Sequence, residues 1–348
     1  MSYQIINRLI NIFDPELSHS LAIFSLKYLF WSTRVDEDDP ILSVKVFGKK
    51  FKNPIGLAAG FDKNADVYEK FSSLGFSFSE IGTVTPRPQV GNLKPRVFRL
   101  NEDLAVINRL GFPNEGMSKI RSKIQHKLSN GILGINIGPN KESTSRIKDY
   151  LETFKNFYDI SDYICINISS PNTESLRDFH ETNQLESLLS EVLSLRKSLK
   201  STVPVILKIS PDIKEKEISE ICNVILKYNI DGITISNTTV RQRENLRNQG
   251  KNEQGGLSGV PLQNLSNNLI KKFYKIIGKK IPIVGVGGVN SGKSAYEKIR
   301  SGATLLQLYT GLVFNGPFIA KNIKKNLALL LRQDGFKSLE EAVGVDCK

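Results

Sequence analysis

Cysteine is scarce in this chain: Cys165, Cys222 and Cys347 are the only three in 348 residues. Their spacing fits neither a disulfide framework nor a zinc site, so no metal is expected and a reducing compartment suits them best. Long apolar runs are missing too. No stretch reaches the ~18 residues of a membrane span, and the opening MSYQIINRLI lacks the charged-then-apolar order of a signal peptide. Neither a spanning helix nor a cleaved leader is expected. The stretch YICINISSPNT (Tyr163–Thr173) contains no His, Asp or Glu, although it begins as a buried strand and ends in small polar residues around a proline. If chemistry happens there, a serine must perform it with unusual help.

The composition, 40% hydrophobic and 24% charged, is that of an ordinary globular protein. The net charge of +13 leaves two readings open. One is an acidic partner such as nucleic acid, anionic lipid or a phosphorylated ligand; the other is solvated helix faces, as in KKFYKIIGKK.

Short β-branched or apolar runs recur at helix-length intervals: 54–60, 77–85, 131–138, 162–170, 203–210, 231–239, 281–289 and 303–311. Eight such runs, apolar on both faces, predict a parallel sheet closed as a (β/α)8 TIM barrel, with an open doubly wound sheet as the competing arrangement. The polar residues decide for the barrel. Lys63, Thr83, Asn136, Asn167, Ser170, Asn172, Lys208, Asn237, Thr238, Tyr309 and Thr310 stand at the carboxyl ends of the runs, and only a barrel brings those ends to one spot.

Residues 1–40 read as a separate helical segment ahead of a catalytic barrel at 41–340. IINRLINIF places Ile5, Ile6, Leu9, Ile10 and Phe13 on one helical face. A second helix opens with Asp14 as cap and Pro15 in its first turn, then spaces Leu17, Leu21, Phe24, Tyr28 and Trp31 by fours and threes. This amphipathic pair carries more apolar face than one docking surface needs, although a simple cap on the barrel bottom is the plainer alternative.

GVGGV at 285–289 and YTG at 309–311 end the last two runs, where barrels build phosphate sites from backbone N–H groups. GGLSG at 255–259 reads as a third glycine loop behind a charged, flap-like stretch, RQRENLRNQGKNEQ. Lysines at strand ends bury their stems and aim their ammonium groups at the mouth, while the amides Asn108, Asn136, Asn167, Asn172 and Asn237 offer donors and acceptors to an imide-like edge such as a pyrimidine's.

In this order and spacing, GLAAGFDKN, INRLGFPN, GINIGPN, NISSPNT, LKISPD, SNTT, GGLSG, GVGGV and LYTG resemble the dihydroorotate dehydrogenase family, in its membrane-associated, quinone-dependent class, over about residues 5–335. The resemblance implies that FMN is the cofactor, held by Ala59, Gly60, Phe61, Asp62, Lys63, Thr83, Asn136, Asn167, Lys208, Ser236, Gly259, Gly288, Tyr309 and Thr310. It implies that dihydroorotate is held by Lys63, Asn108, Arg109, Leu110, Gly111, Phe112, Asn167, Asn172, Asn237 and Thr238 and is oxidised to orotate in pyrimidine synthesis. Ser170 falls on the family's catalytic base and would take the C5 proton while the flavin accepts hydride from C6. His19 and Arg99 would lie along a quinone tunnel between the two amino-terminal helices. The resemblance further implies peripheral contact with anionic lipid on the cytoplasmic face of the cell inner membrane, and no nucleic-acid partner. Ser236 and Pro113 depart from the family's pattern without touching the implied chemistry. A dihydrouridine synthase is the nearer alternative, disfavoured because Cys165 lies within a strand; a non-catalytic basic binding protein is the more distant one.

Overall fold

The structure, a computed structural model, describes residues 13–29, 37–124, 131–173 and 175–347. Eight strands fall one inside each of the eight apolar runs: Ile55–Leu57, Phe78–Val84, Ile132–Ile137, Tyr163–Asn167, Val205–Ile209, Gly232–Ile235, Ile283–Val286 and Leu305–Leu308. They pair in parallel in chain order, and the eighth pairs with the first to close a (β/α)8 barrel. Every residue of these strands is buried except Val286, which is why the runs are apolar throughout: helices cover one face and interior side chains fill the other. Two strand glycines make room for that filling. A Cβ on Gly56 would sit 2.2 Å from the Phe78 ring and one on Gly134 2.0 Å from the Tyr163 ring.

The outer helices carry the expected amphipathic pattern. Gln263–Ile277 turns Leu269, Ile270, Phe273 and Ile277 inward, while Lys272, Lys275, Lys279 and Lys280 in and just beyond it are exposed. This part of the positive charge is a solvated face.

An antiparallel hairpin, Val44–Val46 with Lys49–Phe51, closes the amino end of the barrel. Phe51 meets Phe78 edge-on at 5.3 Å, and Phe47 packs 6.1 Å from Tyr163. The hairpin, and not the amino-terminal helix, is therefore the bottom cap. At the opposite end lies an antiparallel sheet of three strands, Val97–Leu100, Ala105–Asn108 and Gly256–Gly259. The glycine segment expected as a loop is thus the edge strand of this sheet; its small residues let it lie close to its neighbours, since a Cβ on Gly256 would fall on the Thr238 side chain. The charged stretch before it is held down by Asp103, whose carboxylate accepts from the Arg247 and Asn248 amides at 2.9 and 3.0 Å.

The helix Pro15–Tyr28 lies beside the same sheet. Asp14 caps it, accepting from the Glu16 and Leu17 amides at 2.9 and 3.0 Å. Of its apolar residues only Leu26 is fully buried, and Leu17, Leu21, Phe24 and Tyr28 are 49 to 65% exposed. The first expected helix, together with Phe30 and Trp31, lies outside the described residues apart from Phe13. No helix among the described residues is long and apolar enough to cross a membrane.

Candidate active site

A cavity of about 610 Å³ opens between the carboxyl ends of the barrel strands, the three-stranded sheet and the helix Pro15–Tyr28. Its walls follow from the chain's local constraints. Gly287 and Gly288 take left-handed backbone, with φ 112° and 77°, and a Cβ on Gly288 would lie 2.3 Å from Gln263, so this loop requires glycine and presents bare backbone to the cavity. Nearby, the hydroxyls of Ser258 and Thr310 lie 2.8 Å apart.

The floor is a hydrogen-bonded amide array. Thr83 donates its hydroxyl proton to Asn136 Oδ1 at 2.6 Å. The Asn167 Nδ2 group donates to Thr83 Oγ1 and to Asn136 Oδ1 at 3.0 and 3.1 Å, and Asn237 Nδ2 donates to Ser169 Oγ at 2.9 Å. Asn172 Nδ2 reaches the Asn108 carbonyl at 3.1 Å. Ser170 sits at the cavity wall, buried, its Oγ accepting from the Asn172 amide at 3.2 Å. Among the described residues, no His, Asp or Glu lines this cavity except His19 on the helix.

Two lysines face the same space. Lys208, at the end of the fifth strand, is 5% exposed, and Lys63 stands in the loop after the first strand. Neither makes a hydrogen bond or ion pair with any described residue. Burial, opposed by the more distant Glu16 carboxylate, lowers the Lys63 ammonium to about 8. Two cations held without a carboxylate mark a place where an anion or a charge-accumulating ring is stabilised.

At the outer end His19 packs edge-on against Phe61 at 5.0 Å, and burial with the nearby Lys63 charge lowers its imidazole to about 3. It is therefore a neutral, apolar-side wall of the cavity. Arg99 lines the same end and donates to the Phe13 carbonyl.

Of the residues singled out in the sequence, Ala59, Gly60, Phe61, Lys63, Thr83, Asn167, Lys208, Ser236, Gly259, Gly288, Tyr309 and Thr310 line this one cavity, as do Asn108, Leu110, Gly111, Phe112, Ser170, Asn172, Asn237 and Thr238. Three do not. Asp62 turns inward, where its carboxylate accepts from the Asp66 and Val67 amides at 2.8 and 2.9 Å and is pushed up to about 6 by burial; it shapes the Lys63 loop. Asn136 lies beneath Thr83 and Asn167. Arg109 faces away, paired with Glu253 at 2.9 Å and stacked on Phe98. Cys165 is fully buried inside the fourth strand with its thiol pKa raised well above the ordinary value by burial, which removes it as a nucleophile. Sequence reasoning missed Gln307 and Glu80, because they are strand-interior positions with no turn chemistry to mark them; it read the segment of Ser258 as a glycine loop and passed over the serine.

A family model described as dihydroorotate dehydrogenase matches residues 41–331. The dihydroorotate dehydrogenase (quinone) of Parvibaculum lavamentivorans is 43% identical over 97% of both chains. The mitochondrial dihydroorotate dehydrogenase (quinone) of Arabidopsis thaliana is 42% identical over 99% of this chain and 81% of its own. Among solved structures, the Eimeria tenella dihydroorotate dehydrogenase in complex with ferulenol superposes with a TM-score of 0.92 at 35% identity, covering 96% of each chain. With eight parallel strands converging on one amide-lined, lysine-bearing mouth, these likenesses show that the chain is an oxidoreductase belonging to the dihydroorotate dehydrogenase family, alongside relatives of its quinone class.

Proposed function

We propose that this chain binds FMN in the barrel mouth and oxidises (S)-dihydroorotate to orotate, delivering the electrons to a membrane quinone as a step of pyrimidine biosynthesis. The observation that carries this reading is Lys208: a buried lysine with no partner among the described residues, beside a glycine cradle and below an amide-lined wall. The site fits the cofactor on the chain's own chemistry. Bare backbone at Gly287 and Gly288, with the Thr310 hydroxyl, suits a phosphate, and Gln307, buried at the floor with Oε1 unpaired, offers an unused acceptor. FMN supplies the hydride acceptor when bound.

The protein's own residues divide the remaining work. Asn108, Asn172 and Asn237, with Thr238, hold the planar edge of the substrate by paired donors and acceptors. Lys63 pairs with its carboxylate. Ser170 takes the C5 proton, helped by a dry site. Lys208 stabilises negative charge that builds on the bound ring. The direct test is turnover of dihydroorotate with a quinone, fumarate and NAD offered as competing acceptors; turnover with NAD alone would overturn the quinone assignment.

Lys208→Ala should leave the barrel folded but lose FMN or slow flavin reduction by roughly 10²-fold, the effect of removing one preorganised charge-stabilising donor. Flavin content and stopped-flow reduction rates measure this; full flavin with unaltered rates removes Lys208 from the mechanism.

Lys63 gives a pH dependence. With the free-site pKa at about 8, a bound carboxylate favours the ammonium and raises that value. Affinity for orotate is then fully present below pH 8 and is lost as pH rises from there, by up to about tenfold per unit. Titration of the flavin absorbance with orotate from pH 6.5 to 9.5 reads this, and a flat profile would exclude Lys63 as the carboxylate partner.

The exposed apolar face of Pro15–Tyr28, beside the cavity's outer end, fits a membrane-associating segment at residues 1–40 ahead of the catalytic barrel at 41–340. In this reading the protein works peripherally on the cytoplasmic face of the inner membrane, with anionic lipid and quinone as partners and no nucleic acid.

A further inference from the structure

Below the amide array lies a buried carboxylate that the mechanism above does not use. Glu80, in the second strand Phe78–Val84, is 1% exposed and points into the barrel interior. It accepts from Asn136 Nδ2 at 2.8 Å, from the Tyr163 hydroxyl at 3.0 Å and from Gln307 Nε2 at 2.8 Å, so strands two, three, four and eight all meet on it.

Glu80 accepts in each of these three hydrogen bonds, whereas an amide can present either end. Glu80 therefore obliges Asn136 to turn its NH2 down and its Oδ1 up. That oxygen receives the Thr83 hydroxyl and Asn167 Nδ2, so Asn167 must in turn present its own Oδ1 to the loop above. There Oδ1 accepts from the Ser169 hydroxyl at 2.8 Å and lies 3.5 Å from Asn237 Nδ2. Asn237 Oδ1 completes the sequence by accepting from the Thr238 amide at 2.8 Å. Three amides thus run in one direction, from the barrel interior to the cavity wall. The same carboxylate turns Gln307, leaving Gln307 Oε1 as a buried acceptor without a partner at the cavity floor.

We propose that Glu80 is a positioning residue that fixes the donor–acceptor order of the cavity's amides, and so which edge of the ligands the site accepts. This inference rests on the assignment of flavin and orotate to the cavity. Without an accepting group at its base, the array has two directions of similar energy, and in one of them Asn167 and Asn237 present the wrong group to a bound ring.

The test uses full-length, FMN-loaded protein and measures orotate affinity by flavin absorbance, with FMN content and melting temperature in parallel. Failure of the wild type to carry FMN or bind orotate would sink the functional reading itself, before any variant is compared. Given wild-type binding, Glu80→Gln should weaken orotate by about 10- to 100-fold, the cost of a mis-set buried hydrogen bond or two, with FMN retained. Asn136→Asp should do worse, because it sets two carboxylates face to face. The double variant Glu80→Gln/Asn136→Asp should recover affinity relative to Asn136→Asp alone. In it the new carboxylate at position 136 would accept from Thr83 and Asn167 as the native amide oxygen does, while the new amide at position 80 would donate to that carboxylate and accept from Tyr163 and Gln307. Packing alone does not predict that recovery. If Glu80→Gln is too unstable to isolate, the comparison of Asn136→Asp with the double variant decides the matter. Unchanged affinity in Glu80→Gln, or a double variant no better than Asn136→Asp, overturns the proposal.

Discussion

Ser170→Ala is expected to keep its FMN and its melting temperature while flavin reduction by dihydroorotate slows by about 10²–10⁴-fold, the range that a positioned general base contributes. The retention half follows from the structure around the residue. Ser170 Oγ accepts one hydrogen bond, from the Asn172 amide at 3.2 Å, and that amide borders the cavity, so removing the hydroxyl leaves no sealed-in orphan. The loop that carries it is held elsewhere: Arg177 donates to the Ser169 carbonyl at 3.2 Å and pairs with Asp212 at 3.0 Å. The loss half follows from what is missing nearby. Among the described residues His19 stands at the far end of the cavity, Cys165 is locked in a strand, and no carboxylate lines the site to take the proton instead. Stopped-flow reduction under anaerobic conditions separates the two halves, and near-normal reduction would show that another group is the base. Reoxidation by quinone should be unchanged, since Ser170 takes no part in it.

The barrel was legible because its strands are buried on both faces. A continuous apolar run survives as a signal in one sequence, and polar residues at the run's end stand out against it. The gathering of Lys63, Asn167, Ser170, Lys208 and Thr310 around one cavity follows directly from that pattern. What escaped reading obeys different physics. The hairpin Val44–Val46 with Lys49–Phe51 and the three-stranded sheet over the mouth are made of strands of three or four residues, too short for alternation to register. Glu80 and Gln307 were invisible for the opposite reason. A polar residue inside an apolar run looks like an interruption of the strand, and only the closed barrel reveals that each finds its partner on a strand far away in sequence. Asp62, Asn136 and Arg109 mark a different limit: a motif carries them near the cavity, and their side chains turn to support the wall and not to line it. Spacing along the chain places a backbone; side-chain direction depends on neighbours that spacing does not contain.

Removal of residues 1–36 should abolish liposome binding and electron transfer to a long-chain quinone while sparing reduction of FMN by dihydroorotate. The cut belongs before Glu37, because Asp38 accepts from Asn53 at 2.7 Å and pairs with Lys324 at the barrel's edge; a deletion reaching Asp38 would strip a buried lysine of its partner and confuse destabilisation with loss of function. Leu17, Leu21, Phe24 and Tyr28 follow one helical face at spacings of four, three and four, and their exposure leaves each side chain with apolar surface to bury. At half exposure each contributes about 1 kcal/mol on entering lipid, enough together for reversible interfacial binding reinforced by basic residues. The same helix walls the outer end of the cavity through His19, Ala22 and Leu26, so an acceptor arriving from the bilayer would meet the site without crossing water. A gentler variant separates the two roles. Phe24→Asp/Tyr28→Asp changes two exposed residues that do not line the cavity, and it should weaken vesicle binding by at least about tenfold while turnover with a short, water-soluble quinone stays near wild type. Flotation with anionic vesicles and paired assays with long- and short-chain quinones give both readings. If the truncated protein retained full long-chain quinone turnover, the helix would be a structural cover alone and the membrane assignment would fall with it.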